Sequence, residues 1–131
     1  MPIGDKSKSR TVLVIEDEQD ICELYAEVLT ASGYIVEQAR DGATGLEKIK
    51  NSDWNLLLLD IMLPGKDGLR ILKEIKDDPT LKKGPVVILT NLKSDHIIQE
   101  AFNNGSDGYL IKSEFTPDKV VEEVDKYLTQ A

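Results

Sequence analysis

The chain lacks the features that mark secreted or membrane-spanning proteins. It has a single cysteine, Cys22, so no disulfide can form within the chain. No stretch approaches the roughly 20 consecutive apolar residues that a helix needs to cross a bilayer. Residues 1–10 are polar and contain no apolar segment of the kind found in signal peptides. These absences favour a reducing, cytoplasmic setting with no membrane partner.

Basic residues are too few for direct binding to nucleic acid. Lys and Arg number 16 against 24 Asp and Glu, and the formal net charge is −8. Such a chain is repelled by a phosphate backbone, so we expect no direct nucleic-acid partner. The sequence also contains no repeat, low-complexity tract or interdomain linker. Its 131 residues fit one domain with a sizeable core.

Apolar runs of strand length alternate with segments of helical periodicity. Strands are predicted near residues 11–16, 34–39, 55–60, 85–90 and 108–112. Helices are predicted near residues 18–32, 42–51, 66–77, 94–104 and 116–129. Gly33 and Gly105 stand where helix ends favour a left-handed residue. Five βα units predict one doubly wound α/β domain of the flavodoxin-like (βα)5 type, with parallel sheet order 2-1-3-4-5. We expect a flexible segment at 1–10 and the folded domain at 11–131.

The most apolar run of the chain ends in an acid. Leu56–Leu59 predict a strand buried on both faces, and Asp60 follows directly, ahead of a Pro-Gly turn at 64–65. The first strand, 12–15, ends in the acids of 16–18 in the same way. In the order 2-1-3-4-5 these two strands are neighbours, so their acidic ends meet at the edge where such sheets bind ligands.

Two further strands carry polar groups at their carboxyl ends, Thr90 on the fourth strand and Lys112 on the fifth. Crowded carboxylates repel one another unless a cation lies between them, and a few oxygen ligands suit Mg²⁺ or Mn²⁺. The ammonium and hydroxyl can hold phosphoryl oxygens, which leaves one acid to attack phosphorus as a nucleophile. Each residue taken alone is more often a cap or a solvated surface group. The interpretation depends on all of them lying at one edge.

Four motifs together resemble those of a CheY-like receiver domain of two-component response regulators. They lie at residues 12–18 (VLVIEDE), 58–68 (LLDIMLPGKDG), 87–90 (VILT) and 105–112 (GSDGYLIK). The resemblance extends over about residues 11–128. It implies a signalling module that catalyses only its own phosphorylation and slow dephosphorylation.

The resemblance implies a phosphoacceptor and a magnesium site. Asp60 matches the acceptor, Asp17 the direct metal ligand, and Glu16 the acid that usually acts through water. The backbone carbonyl of Met62 completes the protein's share of the Mg²⁺ ligands. The phosphoryl group would come from a sensor histidine kinase or a histidine phosphotransfer protein.

The resemblance also implies a switch. Thr90 matches the hydroxyl that moves onto the phosphoryl group, Lys112 the lysine that pairs with it, and Tyr109 the aromatic residue that changes rotamer. Phosphorylation would then remodel the surface of the fourth helix, fifth strand and fifth helix, where receivers meet downstream protein targets.

Several positions depart from the usual receiver pattern. Ser113 stands where the family usually has proline, often after a cis peptide bond, and we expect Lys112–Ser113 to be cis. Asn91 is larger than the usual residue after the switch hydroxyl and would narrow access for the phosphodonor. Met62 and Leu92 flank the site and would hinder an attacking water. We therefore expect the phosphoryl group to persist for minutes or longer.

Other classes fit less well. A dehalogenase-type phosphatase needs a second aspartate two residues after Asp60, where Met62 stands. A flavodoxin-like FMN binder needs a Ser/Thr/Gly-rich loop after the first strand, where 16–18 are acidic, and no G-x-G-x-x-G motif follows that strand. A degenerate receiver acting as a phosphorylation-independent interaction module stays open. So does the choice between a stand-alone receiver and a module of a larger regulator.

Overall fold

Five parallel strands form the central layer of the structure, a computed structural model that describes residues 10–129. The strands are β1 Thr11–Ile15, β2 Ile35–Ala39, β3 Leu56–Leu59, β4 Val86–Thr90 and β5 Gly108–Ile111. They lie in the order β2-β1-β3-β4-β5, and every neighbouring pair is parallel. The predicted doubly wound α/β fold and its strand order are confirmed. The segment predicted to be flexible lies outside the described residues except for Arg10, which donates a hydrogen bond to the carbonyl of Leu128.

Among residues 10–129, five helices flank the sheet. They are α1 Gln19–Ala31, α2 Gly42–Asn51, α3 Gly68–Asp77, α4 Asp95–Asn103 and α5 Pro117–Thr129. Two short 3-10 turns in the described part of the chain cover Pro79–Leu81 and Lys112–Glu114. Gly33 and Gly105, just past α1 and α4, have φ of 101° and 96°, as predicted for helix ends. Within residues 10–129, no helix is long and apolar enough to cross a membrane.

The alternation of side chains along each strand divides the core between the two faces of the sheet. One apolar cluster includes Leu57 and Leu59 of β3 and packs under α2, α3 and α4. The other includes Leu56 and Leu58 of the same strand and packs under α1 and α5. All four leucines are at most 1% exposed, so the predicted burial on both faces is confirmed. Asp60, which follows β3, is therefore attached to a strand whose side chains are packed on both faces of the sheet.

Tight packing after β3 holds the chain close to that strand's end. The amide of Gly68, at the start of α3, donates to the carbonyl of Ile61 at 2.9 Å. A side chain at Gly68 would collide with the backbone of Asp60 and Ile61, so only glycine permits this approach. Asp67 begins α3 by accepting a hydrogen bond from the amide of Arg70. The loop after Asp60 is thus anchored at both ends.

Candidate functional site

The ends of β1 and β3 bring two acids together at the carboxyl edge of the sheet. Ile15 pairs with Leu59, so the residues that follow them, Glu16 and Asp60, start from neighbouring positions. Their relative exposures are 2% and 4%, which is unusual for carboxylates. Asp17 is exposed beside them, and one carboxylate oxygen from each of the three acids lies within 4.8 Å of the others. The predicted acidic cluster is therefore present.

The ammonium group of Lys112 contacts both buried acids. Its Nζ lies 2.5 Å from Oε1 of Glu16 and 2.7 Å from Oδ2 of Asp60, and its side chain is 11% exposed. Burial by itself would lower the pKa of Lys112, but hydrogen bonds to Asp60 and Glu16 outweigh it, and the pKa is raised. Lys112 therefore stays charged at neutral pH.

Backbone amides complete the hydrogen bonding of both acids. The amide of Glu18 donates to Oε2 of Glu16 at 3.0 Å, and the amide of Met62 donates to Oδ1 of Asp60 at 3.1 Å. Burial nevertheless raises the pKa of Glu16, although hydrogen bonds from Lys112 and Glu18 oppose the shift. The two carboxylates are held in fixed orientations by the loops that follow β1 and β3.

The donor set fits a hard divalent cation. Three carboxylates face one ammonium, which leaves negative charge that Lys112 does not balance. Oxygen ligands open to water are those that Mg²⁺ and Mn²⁺ prefer. An open cleft of about 550 Å³ lies in front of the acids, lined by Asp17, Glu18, Asp60, Met62, Asn91 and Lys112. A cation and its remaining waters have access from this side.

Thr90 and Tyr109 both contact Leu92, in the loop after β4. Thr90 is fully buried, and its Oγ1 accepts a hydrogen bond from the amide of Leu92 at 3.5 Å. The hydroxyl of Tyr109 donates to the carbonyl of Leu92 at 2.7 Å. Burial, and secondarily the charge of Asp60, raises the pKa of Tyr109. Among the described residues Thr90 makes no hydrogen bond to Asp60, so the structure ties both predicted switch residues to one loop instead.

The prediction of a cis bond between Lys112 and Ser113 is wrong, since residues 10–129 contain no cis peptide bond. Serine keeps the amide proton that proline lacks, and the amide of Ser113 donates to Oδ1 of Asn91 at 2.9 Å. A cis bond before a residue other than proline costs about 2.5–4 kcal/mol, and nothing here requires one. The chain forms the 3-10 turn Lys112–Glu114, and Lys112 still reaches both acids.

Sequence reasoning missed the link between the loop after β4 and the turn after β5. It treated Asn91 and Ser113 as two separate departures, whereas they are hydrogen-bond partners. An exposed ion pair between Lys93 and Glu114, at 3.7 Å, joins the same two segments. The sequence did contain a signal for this link. Ser113 has a backbone N–H where the family usually has proline, and Asn91 has a carboxamide where the family usually has a smaller residue.

Comparison with known proteins agrees with the geometry. The sequence model of the family described as "Response regulator receiver domain" matches residues 12–125. The transcriptional regulatory protein ResD of Bacillus subtilis is 30% identical over 97% of this chain and 51% of its own length. A receiver domain protein from Methanospirillum hungatei superposes with a TM-score of 0.83 at 29% identity, covering 92% of this chain and 94% of the other. The BeF3-activated receiver domain of Klebsiella pneumoniae RstA gives a TM-score of 0.83 at 29% identity, covering 92% of this chain and all of the other.

The fold and the acidic edge define a signalling receiver module. The chain belongs to the response regulator receiver domain family. Receiver domains of this family interact with kinases and with downstream effectors. The acidic cluster of Glu16, Asp17 and Asp60 fits the Mg²⁺ site of a receiver. The chain spans about half or less of the length of the curated relatives it matches.

Proposed function

We propose that this receiver takes a phosphoryl group from a phosphohistidine onto Asp60 and controls a protein partner through the change that follows. The donor is a sensor histidine kinase or a histidine phosphotransfer protein in the cytoplasm, and residues 11–131 form the functional unit. The observation that carries the proposal is the buried Asp60 carboxylate, held by Lys112 and the Met62 amide at the floor of an open cleft.

The transfer itself is a displacement at phosphorus. A carboxylate oxygen of Asp60 attacks, the P–N bond to the donor histidine breaks, and the imidazole nitrogen leaves with the bonding electron pair. The product is an acyl phosphate on Asp60. Lys112 lies 2.7 Å from Oδ2 of Asp60, so its ammonium is placed to bind an oxygen of the arriving phosphoryl group.

Asp17, Asp60 and the Met62 carbonyl would hold Mg²⁺ directly, with Glu16 acting through water. When bound, the ion supplies positive charge that offsets the repulsion between the carboxylates and the phosphoryl oxygens. Glu16 bonds to Lys112 and to the Glu18 amide. In this proposal Glu16 therefore has a second part, which is to keep the ammonium of Lys112 beside Asp60.

The switch works through the loop after β4. The phosphoryl group would attract the Thr90 hydroxyl, which bonds the amide of Leu92, while Tyr109 bonds the carbonyl of the same residue. Because both side chains bond the backbone of Leu92, movement of one would shift this residue and so change the hydrogen bond of the other. Tyr109 belongs to β5, so the change reaches the surface of α4, β5 and α5, where the partner would bind.

The apolar residues beside the cleft would slow hydrolysis of the acyl phosphate. Met62 lines the cleft and is 57% exposed, and Leu92 is half-buried. Neither offers a group that could orient an attacking water. We expect the phosphoryl group to persist for minutes or longer in Mg²⁺ buffer, which intact mass measured against time after donor removal checks.

The test is intact mass spectrometry after incubation with Mg²⁺ and acetyl phosphate, beside an Asp60→Asn variant. We expect one phosphoryl adduct on the wild type, and none on the variant or without metal. Because some receivers accept phosphate only from their kinase, fluoroberyllate binding with Mg²⁺ is measured on the same samples. Failure of both would favour the degenerate receiver that acts without phosphorylation.

A further inference from the structure

Asn91 has no part in the function proposed so far, yet it lines the cleft with Asp60 and Lys112. It directly follows Thr90 at the end of β4 and is exposed. Its carboxamide is one of the few neutral polar side chains beside the acceptor. A residue in this position can affect both access to Asp60 and contact with the arriving group.

The amide of Ser113 fixes which way the Asn91 carboxamide is turned. A backbone N–H can only donate, so the atom that faces it at 2.9 Å must be the acceptor Oδ1. Nδ2 is then the polar atom left over, and within residues 10–129 it has no hydrogen-bond partner. Ser113 therefore orients an amide group whose two protons are free to donate.

We propose that Asn91 is a further phosphoryl-recognition residue, which donates from Nδ2 to an oxygen of the phosphoryl group and is oriented for this by the Ser113 amide. The inference rests on the proposed function of Asp60. The Lys112 ammonium and the Met62 amide are the other donors at the acceptor carboxylate. In the proposed phosphorylated state the Thr90 hydroxyl joins them, and Asn91 would add a further donor without adding charge to the site.

The alternative role for Asn91 is purely steric, and the two roles predict opposite signs. If the side chain only narrows the cleft, its removal speeds phosphorylation. If it donates to the phosphoryl group, its removal slows phosphorylation. The loss of one hydrogen bond to a charged phosphoryl oxygen corresponds to a fall of about ten- to hundredfold in rate.

The experiment measures the rate of adduct formation from acetyl phosphate at saturating Mg²⁺ for four single variants and one double variant. Asn91→Ala and the similarly sized Asn91→Leu are expected to be slower than wild type by that factor. Ser113→Pro removes the orienting N–H and should also be slower, whereas Ser113→Ala keeps the N–H and should match wild type. Adding Ser113→Pro to Asn91→Ala should cost little more, because both remove the same interaction. Faster phosphorylation of Asn91→Ala overturns the proposal.

A second readout does not depend on phosphorylation. In ¹⁵N spectra the side-chain NH₂ of Asn91 should shift strongly when fluoroberyllate binds with Mg²⁺, and Ser113→Pro should reduce that shift. Mg²⁺ affinity measured by calorimetry should be the same in Asn91→Ala and wild type. An unmoved Asn91 resonance in a protein that binds fluoroberyllate overturns the inference while leaving Asp60 as acceptor. A wild type that neither binds the analogue nor forms the adduct overturns both.

Discussion

The two edges of the sheet use polar side chains in opposite ways. At the amino edge, Asn55 exchanges two hydrogen bonds with the backbone of Thr11, the first residue of β1. Asp107 does the same with Val86, the first residue of β4, and its charge is balanced by Lys82. These two side chains close the ends of strands, and each of them has a partner.

At the carboxyl edge the polar side chains face one another and an open cleft. Glu16, Asp17 and Asp60 lie close together, and the ammonium of Lys112 contacts two of them, Glu16 and Asp60. Burying charge of this kind contributes little to folding, and apolar residues of similar size would often serve stability as well or better. The difference fits the proposed function, in which the amino edge stabilises the fold and the charge at the carboxyl edge serves ligand binding.

The largest expected effect comes from removing the ammonium that contacts both buried acids at the carboxyl edge. Lys112→Met leaves two buried carboxylates without their partner, and removing one member of a buried ion pair costs about 3–5 kcal/mol. We expect the free energy of unfolding in metal-free buffer to fall by an amount near the lower end of this range, because the Lys112 side chain keeps some solvent contact. Urea unfolding with EDTA present measures it. A loss below about 1 kcal/mol, the range of an exposed pair, would mean that the ion pair is no more than a surface contact.

Addition of Mg²⁺ should stabilise the protein through the same acids. A cation at one hundred times its Kd adds about 2.7 kcal/mol to the free energy of unfolding. We expect Asp17→Asn to lose most of this increment. The matched control is Asp53→Asn, an exposed acid beside the amino edge, which should keep it. Equal Mg²⁺ stabilisation of both variants would place the cation elsewhere.

Asp107→Ala tests the structural role of the amino edge. The amide of the buried Val86 loses its acceptor, and an unsatisfied buried donor costs about 1–3 kcal/mol. Phosphorylation should continue at the wild-type rate, since Asp107 lies at the far edge of the sheet. Thermal unfolding checks the expected loss of stability, and the mass assay on the same sample checks the rate of phosphorylation. A variant that keeps its stability but loses phosphorylation would reverse the assignment of the two edges.

Lys82→Met should have the smallest effect on stability, and it is the matched control for Lys112→Met. Lys82 and Asp107 form an ion pair 2.9 Å long, but both side chains are more than a third exposed. Exposed pairs contribute about 0–1 kcal/mol, and salt weakens them further. We expect a loss below about 1 kcal/mol by urea unfolding, several times less than for Lys112. Similar losses for the two lysines would remove the distinction between the edges.

The fold was predictable because its signals are local. Runs such as Leu56–Leu59 predict buried strands, and Gly33 and Gly105 mark helix ends where the structure has positive φ. The acidic cluster followed from these, since parallel strands bring their carboxyl ends to one edge. The sequence therefore predicts that Glu16 and Asp60 lie next to each other at the carboxyl edge of the sheet.

The contacts between loops were not predictable in the same way. The hydrogen bond between Asn91 and Ser113 joins residues 22 positions apart in loops whose conformations no periodicity describes. The cis bond was wrongly predicted because a conformation suited to proline was assigned to Ser113, whose amide has a partner in the trans form. That Lys112 contacts Glu16 as well as Asp60 depends on side-chain directions, which strand order does not determine.

Reductive trapping tests the central claim most directly, because it shows which residue carries the phosphoryl group. Borohydride reduces an acyl phosphate on aspartate to homoserine, which tandem mass spectrometry of peptides locates along the chain. After incubation with Mg²⁺ and a phosphodonor, we expect homoserine at position 60 and nowhere else. Reduction at Asp17 instead, or an adduct that withstands borohydride, would contradict the account of Asp60 as the phosphoacceptor.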